Sequence, residues 1–305
     1  MNGIFNIDKP SGMTSHDVVS RVKRLARSID GPQSSARTRV GHAGTLDPLA
    51  TGVLPIVLGK ATRLVEYLTD EDKAYRATLM LGANTDTYDR EGTVVPVDGA
   101  VMPSREDIEQ ALDNFRGEID QVPPMHSAIK IGGKKLYDLA RQGIEVERQT
   151  RHVTITRLDI EAYRPPLLEI FVECSKGTYI RSIAFDLGAA LGTGAYLEAL
   201  QRTRHGPFTI RGATTLEGLE AAIQEGTWQE SLYPPDYILA GWPTYTATTE
   251  QEREIMQGKP LHRPPPAGEK GELLAAYRPN GDLLAIMYWD KDKGFWQPRK
   301  VMSQE

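Results

Sequence analysis

The sequence predicts an α+β domain with a mixed sheet, followed by a small β-rich module. Segments with the alternation of strands dominate the first part of the chain, helical segments come between them at irregular intervals, and no fixed-period repeat is visible. The sequence pattern changes around residues 234–243. Beyond this point, Asn280-Gly281 between apolar runs is a strong hairpin signal. We expect a large domain over residues 1–240 and the module over residues 244–305.

The first elements are a strand, a helix and a second strand. GIFNID is typical of a short strand, and Thr14 with Asp17 forms a capping-box pattern before apolar residues at helical spacing. A polar loop then leads to GHAGTLDPLATG, residues 41–52. The apolar run VLPIVLG after it predicts a buried strand.

The middle of the chain predicts more strands with intervening helices. In KAYRATLMLG, residues 73–82, Tyr75 shares a face with the apolar residues of its strand. The pattern also predicts an acidic surface helix (104–115), a basic helix (134–143) and two strands (151–160 and 167–174). SKGTYIRSIAFDLGAALG then predicts a helix with Arg181 in its first turn.

Composition excludes several classes of protein. The amino terminus has no secretion-signal pattern and no run approaches eighteen apolar residues, so we expect a cytoplasmic protein without membrane contact. The single cysteine, Cys174, cannot form an internal disulfide or a zinc site of common spacing. Because Cys174 lies in an apolar alternation, it is interpreted as a buried strand residue.

The charge distribution leaves two interpretations open. The net charge is -5, but basic side chains concentrate in residues 1–40, 130–157 and 200–211. These segments are consistent with a basic face for a polyanion, and equally with solvated helix faces.

Common catalytic motifs are absent. GVLPIVLGKAT has the wrong spacing for a phosphate-binding loop, and HExxH, G-x-S-x-G and G-x-G-x-x-G do not occur. The unusual feature that remains is Asp47, within the twelve residues of GHAGTLDPLATG that include three glycines. Asp47-Pro48 is compatible with an ordinary turn or with a nucleophilic or electrostatic aspartate beside a closely approaching ligand.

Arg181 offers a partner for such an aspartate. A cation in the first turn of a helix opposes the helix dipole. A buried carboxylate would offset this, and Arg181 would keep that carboxylate ionised by lowering its pKa. The residues alone do not decide between an ordinary turn and a nucleophilic or electrostatic aspartate at residue 47.

The loop GHAGTLDPLATG and five further motifs, in order, resemble the TruB-type tRNA pseudouridine synthases. The five further motifs are NIDKPSGMTSHDVV, DKAYRATLMLGANTDTYDREG, QVPPMHSAIKIGGKKLYDLARQGIEVERQTRHVTI, SKGTYIRSIAFDLG and LQRTRHGPF. The resemblance covers residues 2–215, and the last sixty residues are more weakly similar to the family's RNA-binding PUA module. It implies a pseudouridine synthase fold with a central mixed, largely antiparallel sheet flanked by helices.

The resemblance implies an isomerase that flips uridine 55 of the tRNA T loop out of its stack and converts it to pseudouridine. Asp47 would be the nucleophile, Arg181 its partner, and Tyr75 the residue that stacks on the target base. Tyr179 and Leu200 would line the uridine pocket, and His42 would fill the space that the flipped base leaves. No metal or organic cofactor is implied.

The resemblance also makes the basic segments candidates for RNA contact, with residues 124–152 as an RNA-clamping insertion. The candidate side chains are Lys9, Lys130, Arg141, Arg151, Arg202 and Arg204. His126 and Gln201 depart from the residues common in the family. We expect a monomer that binds the T arm of tRNA without an obligate protein partner. The alternatives are a guide-RNA-dependent pseudouridine synthase and an RNA-binding chaperone of tRNA folding that needs no catalysis.

Overall fold

The computed structural model describes residues 1–30, 38–127, 130–140, 142–144, 146–262 and 273–302. The chain divides into two compact units, residues Met1–Tyr233 and Pro234–Glu305. The assignment of a catalytic domain and a PUA-like module to these regions remains a prediction.

The first unit contains fourteen of the described strands. They are β1 (Gly3–Lys9), β2 (Val40–His42), β3 (Thr51–Leu58), β4 (Lys73–Leu81), β5 (Ala83–Thr85), β6 (Val94–Pro96), β7 (Gly117–Gln121), β8 (Lys130–Ile131), β9 (Lys134–Lys135), β10 (Arg151–Arg164), β11 (Leu167–Cys174), β12 (Ala195–His205), β13 (Phe208–Thr209) and β14 (Leu232–Tyr233). The second unit contains β15 (Thr244–Thr246), β16 (Leu273–Tyr277), β17 (Leu283–Asp290) and β18 (Phe295–Val301).

The described α-helices are α1 (Ser15–Asp30), α2 (Val65–Asp70), α3 (Arg105–Asp113), α4 (Leu136–Ala140), α5 (Ile180–Ala190) and α6 (Leu216–Glu225), with α7 (Thr249–Met256) in the second unit. Short 3-10 turns cover Gly59–Leu64, Ile210–Gly212, Trp228–Ser231 and Pro235–Leu239. The basic helix predicted over residues 134–143 is therefore shorter than expected, because Lys134 and Lys135 form strand β9 and helix α4 begins at Leu136.

A ten-stranded sheet forms the centre of the first unit, with the main order β14-β1-β3-β12-β4-β11-β10-β7. Of its pairs, β3 with β12 is parallel and the others are antiparallel. The predicted mixed, largely antiparallel sheet is thus confirmed. The β3–β12 pair brings residues 51–52 beside residues 201–202, although 149 residues separate them in the chain.

Alternation along the central strands builds the core. Tyr75 and the apolar residues that follow it on β4 face the same core as the alternating apolar residues of β11. Cys174 is one of them, 1% exposed, which confirms it as a buried strand residue. The apolar face of α5 packs onto this core and so places the amino terminus of the helix near the ends of β4 and β12.

The two helix starts that the sequence predicted are present. The Thr14 hydroxyl receives the backbone N–H of Asp17 (3.1 Å), and the Asp17 carboxylate accepts the Thr14 backbone N–H (2.9 Å). This is the predicted capping box at α1. At α5, Tyr179 precedes the first helical residue and Arg181 is the second.

The described residues of the second unit form a four-stranded sheet in the order β15-β16-β17-β18, together with the α-helix α7. Asn280 and Gly281 form the turn between β16 and β17, where Gly281 has φ of +90°. The predicted hairpin is confirmed.

Candidate active site

The loop that carries Asp47 is fixed from the segment between β1 and α1. The Ser15 hydroxyl accepts the Leu46 backbone N–H (2.9 Å) and donates to the Leu46 carbonyl (3.1 Å). A backbone N–H from the turn before α1 donates to the Pro48 carbonyl (2.8 Å). Both neighbours of Asp47 are therefore held by hydrogen bonds, while the Asp47 side chain keeps 34% of its surface exposed.

Arg181 and Asp47 form a two-contact ion pair. Arg181 Nε lies 3.0 Å from Asp47 Oδ2, and Arg181 Nη2 donates to Asp47 Oδ1 at 3.1 Å. Two parallel contacts fix the orientation of both side chains as well as their distance. The structure thus confirms the carboxylate partner predicted for the arginine at the start of α5.

Asp89 is a member of this site that the sequence argument missed. Arg181 Nη1 lies 3.2 Å from Asp89 Oδ2, and the Asp89 side chain is only 4% exposed. Asp89 is oriented in turn by the Thr87 hydroxyl (2.7 Å) and the Glu91 backbone N–H (3.0 Å). Asp89 belongs to the motif DKAYRATLMLGANTDTYDREG, in which only Tyr75 was singled out as a site residue. Its signal was the density of turn-forming polar residues in NTDTYDREG, which resembles an ordered turn more than a solvated stretch.

Burial and charge act on Asp47 in opposite directions. Burial raises the pKa of Asp47 above its ordinary value, Arg181 lowers it, and the negative charge of Asp89 adds to the rise. Arg181 thus acts on the pKa of Asp47 in the predicted direction, but burial, which the prediction left out, outweighs the cation. Arg181 still favours the ionised form of Asp47 relative to a site without it.

Tyr75 lies at the start of β4 and is 8% exposed. It is paired in register with Arg202 of β12, so the two side chains share one face of the sheet, and the Tyr75 hydroxyl interacts with the Arg202 guanidinium. Burial raises the pKa of Tyr75 to about 12, although Arg202 opposes the rise. At neutral pH Tyr75 is thus a phenol that can donate a hydrogen bond.

Leu200 and Tyr179 approach the site from β12 and α5. Leu200 is 8% exposed and pairs in register with Ala77, one step along the same face from Tyr75. The Tyr179 backbone is held by the buried amide of Gln121, which accepts from its N–H (2.7 Å) and donates to its carbonyl (3.0 Å). Gln121, which the sequence argument did not single out, thereby sets the start of α5.

His42 ends β2 and is half-buried. Burial lowers its pKa, and the nearby positive charges of Arg202 and His16 lower it further. Its Nδ1 is buried and has no hydrogen-bond partner among the described residues. His42 is therefore a neutral imidazole at any pH above the ordinary histidine pKa.

Two of the six RNA-contact candidates are internal, which corrects that expectation for them. Lys9 is fully buried, and its Nζ donates to the carbonyls of Pro10 (2.9 Å), Met13 (2.6 Å) and Pro48 (3.2 Å). Arg202 is 1% exposed and likewise donates to backbone carbonyls. These cations donate to carbonyls in and around the Asp47 loop, residues 43–50 between β2 and β3, where a phosphate cannot reach them.

The other candidates remain predictions. Arg151 is exposed at the start of β10. Arg204 is about a third exposed and lies 3.3 Å from Glu173. Arg141 and the side chain of Lys130 lie outside the described residues.

The glycines of the motif make room for protein as well as bending the chain. Gly44 and Gly52 have φ of +73° and +97°, which confirms unusual backbone angles. A Cβ atom on Gly52 would overlap the Arg202 backbone, and one on Gly44 would lie 3.1 Å from the His205 ring and 3.4 Å from Arg202 Nη1. The close approaches at Gly44 and Gly52 are therefore to β12, and not to a ligand backbone as the sequence argument expected.

A cavity adjoins the site at Leu200. It has a volume of about 410 Å³, and its lining includes Thr51, Arg76, Arg90 and Glu161 as well as Leu200. This volume lies within the range of about 300–1,000 Å³ typical of ligand pockets. The cavity offers space for a polar group beside the proposed uridine pocket.

Two further properties concern only the described part of the chain. It contains no group of three or more His, Cys, Asp or Glu side chains arranged to hold a metal ion. None of its helices is long and apolar enough to cross a membrane.

Two family models match the chain. The model of the TruB family pseudouridylate synthase N-terminal domain matches residues 33–180, and that of the tRNA pseudouridylate synthase B C-terminal domain matches residues 181–240. This chain belongs to the TruB family of pseudouridylate synthases.

Individual relatives agree with the TruB assignment. Over 305 residues the chain is 42% identical to a tRNA pseudouridine synthase B of Dehalococcoides mccartyi, covering 100% of this chain and 98% of the relative. It is 46% identical over 261 residues to that of Symbiobacterium thermophilum, covering 85% of this chain and 82% of the relative. A solved H/ACA RNP bound to a substrate RNA containing 2′-deoxyuridine has a TM-score of 0.73 at 25% identity, covering 99% of this chain and 85% of that chain. The fold is therefore the pseudouridine synthase fold.

Proposed function

We propose that this protein converts uridine 55 in the T loop of tRNA to pseudouridine. The observation that carries the proposal is the Asp47–Arg181 pair, with contacts of 3.0 and 3.1 Å, in a TruB-family chain. The relatives named tRNA pseudouridine synthase B over the full length support tRNA as substrate. The reaction is an isomerisation without redox change, so the enzyme is an isomerase that uses no cofactor.

The chemistry assigns a task to each side chain. The N1–C1′ bond must break, the base must turn, and C5 must join C1′, after which C5 loses its proton and N1, freed from the sugar, gains one. An ionised Asp47 would act on the sugar or the base as a carboxylate nucleophile, much as in a retaining glycosidase. Arg181 would hold Asp47 ionised against its burial, and Tyr75 would stack on the base and assist removal of the C5 proton.

The pocket must accept a base taken out of its stack, which costs a few kcal/mol. Leu200 and Tyr179 would line the uridine, and neutral His42 would occupy the space left in the T loop. The cavity of about 410 Å³ beside Leu200 would take a neighbouring nucleotide.

Contacts to RNA would come from three regions: the exposed Arg151 with the partly exposed Arg204, the insertion at residues 124–152, and the second unit as a PUA-like module. Phosphate contacts of this kind make binding weaken steeply with salt. The protein would act in the cytoplasm as a monomer, with tRNA as its macromolecular partner.

A guide-dependent pseudouridine synthase is the second candidate, favoured by the TM-score of 0.73 to an H/ACA RNP. The 42% identity over the whole chain to relatives named tRNA pseudouridine synthase B favours the stand-alone enzyme. The presence of Asp47, Tyr75 and Arg181 together argues against an RNA-folding chaperone that needs no catalysis.

The test is tritium release from tRNA labelled at uridine C5, with purified protein and no guide RNA. We expect about one equivalent per tRNA, as one flipped base predicts, and none from a transcript with cytidine at position 55. Absence of release from both, with RNA bound, would contradict the proposal and favour a guide-dependent enzyme or a chaperone.

A further inference from the structure

Arg202 is a buried cation whose described partners are all uncharged. Its Nε donates to the Val53 carbonyl (2.7 Å), its Nη2 donates to the Gly44 carbonyl (3.1 Å), and the guanidinium interacts with the Tyr75 hydroxyl. Arg181, by contrast, binds two carboxylates. A buried charge without an opposite charge costs stability, which calls for an explanation beyond packing.

The register of β12 explains how one side chain reaches these partners. Arg202 pairs with Gly52 of β3 on one side and with Tyr75 of β4 on the other. Gly44 lies three residues before Asp47, and a side chain there would meet Arg202 Nη1 at 3.4 Å. Arg202 therefore joins the Asp47 loop to the strand that carries Tyr75.

We propose that Arg202 is a positioning residue for the isomerisation, which fixes the Tyr75 hydroxyl and the Gly44 end of the Asp47 loop relative to each other. This inference rests on the proposed function, in which Asp47 and Tyr75 contact the target nucleotide. A guanidinium holds five N–H donors in a fixed plane, so it can bind several acceptors at once. An ammonium group cannot reproduce that geometry. Arg202 acts through these partners and does not itself touch RNA, since it is 1% exposed.

The test compares Arg202→Met and Arg202→Lys with the exposed control Arg157→Met on β10. For each folded variant, RNA affinity and the single-turnover rate of tritium release at saturating RNA are measured. We expect Arg202→Met to slow the saturated rate about tenfold or more, as misplacement of reacting groups does, with RNA affinity unchanged. Arg202→Lys should recover part of the rate, and Arg157→Met should match the wild type.

A double variant tests the connection to Tyr75. If Arg202 acts partly by placing the Tyr75 hydroxyl, the rate loss of Arg202→Met with Tyr75→Phe should be smaller than the product of the two single losses. A purely structural role would lower thermal stability but would leave this product intact.

Several outcomes overturn the inference. They are weaker RNA binding with an unchanged saturated rate, an unchanged rate and affinity, multiplicative losses in the double variant, and failure of both Arg202→Met and Arg202→Lys to fold. If only Arg202→Lys folds, its saturated rate decides: a slower rate supports the inference and an unchanged rate overturns it. No release from the wild type would contradict the proposed function first, whereas wild-type release with an unaffected Arg202→Met contradicts this inference alone.

Discussion

Asp47 and Asp89 bind different edges of one guanidinium, that of Arg181. Nε and Nη2 contact Asp47 at 3.0 and 3.1 Å, and Nη1 contacts Asp89 at 3.2 Å. The cation is 6% exposed and also donates to the His126 carbonyl (2.9 Å). Asp89, whose side chain is 4% exposed, thus sets the orientation of the group that orients Asp47.

Asp89→Asn should slow the reaction while leaving RNA binding intact. The asparagine keeps the size of the side chain but removes the charge that holds Arg181 Nη1, so the guanidinium can turn away from Asp47. We expect the saturated single-turnover rate to fall about 100-fold, the effect of a misplaced catalytic group. Asp86→Asn, in the same segment but exposed, is the matched control, and equal rates for the two variants would contradict the assigned role.

The pH dependence of the rate should report Asp47. Because burial raises its pKa, the rate should fall on acidification with a midpoint above 3.8, since only the ionised carboxylate reacts. Arg181 opposes this rise, so Arg181→Met, which removes the cation, should have its midpoint at higher pH than the wild type. Single-turnover rates at a series of pH values check the shift, and a midpoint at or below that of the wild type would refute it.

Gly52→Ala should destabilise the protein strongly. A methyl group there would overlap the Arg202 backbone, and φ is +97°. Gly12, with φ of +84° and nothing within 4 Å, provides a control for the backbone strain alone. We expect Gly12→Ala to lower the free energy of unfolding by about 1–3 kcal/mol and Gly52→Ala by clearly more. Equal losses of unfolding free energy in denaturant titrations would show that the packing of β12 against residue 52 does not require the absence of a side chain there.

Lys73 should make stability depend on alkaline pH. It is buried on β4, its Nζ donates to the Thr69 carbonyl (2.6 Å), and burial lowers its pKa from 10.5 to about 8. Between these values the unfolded chain holds a proton that the folded chain has lost, so the contribution of Lys73 to the free energy of unfolding rises with pH.

The expected gain of the wild type over Lys73→Met from pH 7.5 to 9.5 is about 1–2 kcal/mol. Lys176→Met, at an exposed lysine, is the control for the loss of a positive charge. A constant difference between wild type and Lys73→Met across this range would contradict the lowered pKa.

Local structure followed from the sequence where periodicity and capping decided it. The helix from Ser15 and the alternation around Tyr75 needed only side-chain spacing and a capping box. The Asp47–Arg181 pair was also foreseeable, since a cation at a helix start needs a partner. The parallel pairing of β3 with β12 was not, because it joins segments that are far apart in the chain.

The roles of Lys9 and Arg202 could not be predicted from charge counts. Both belong to basic segments, yet both lie inside and bind carbonyls around the Asp47 loop. Whether a cation faces RNA or a buried carbonyl depends on strand register, which the sequence does not specify at a single residue. Asp89 was missed because it meets Arg181 across 92 positions of the chain, a contact that local pattern does not reveal.

The most direct test of the account is tritium release by Asp47→Asn, compared with the wild type at equal RNA occupancy. Asparagine keeps the shape of the side chain and can still accept from Arg181, but it cannot act as a carboxylate nucleophile. We predict release from wild type and none from Asp47→Asn while RNA binding persists. Release by Asp47→Asn at the wild-type rate would contradict the central role of Asp47.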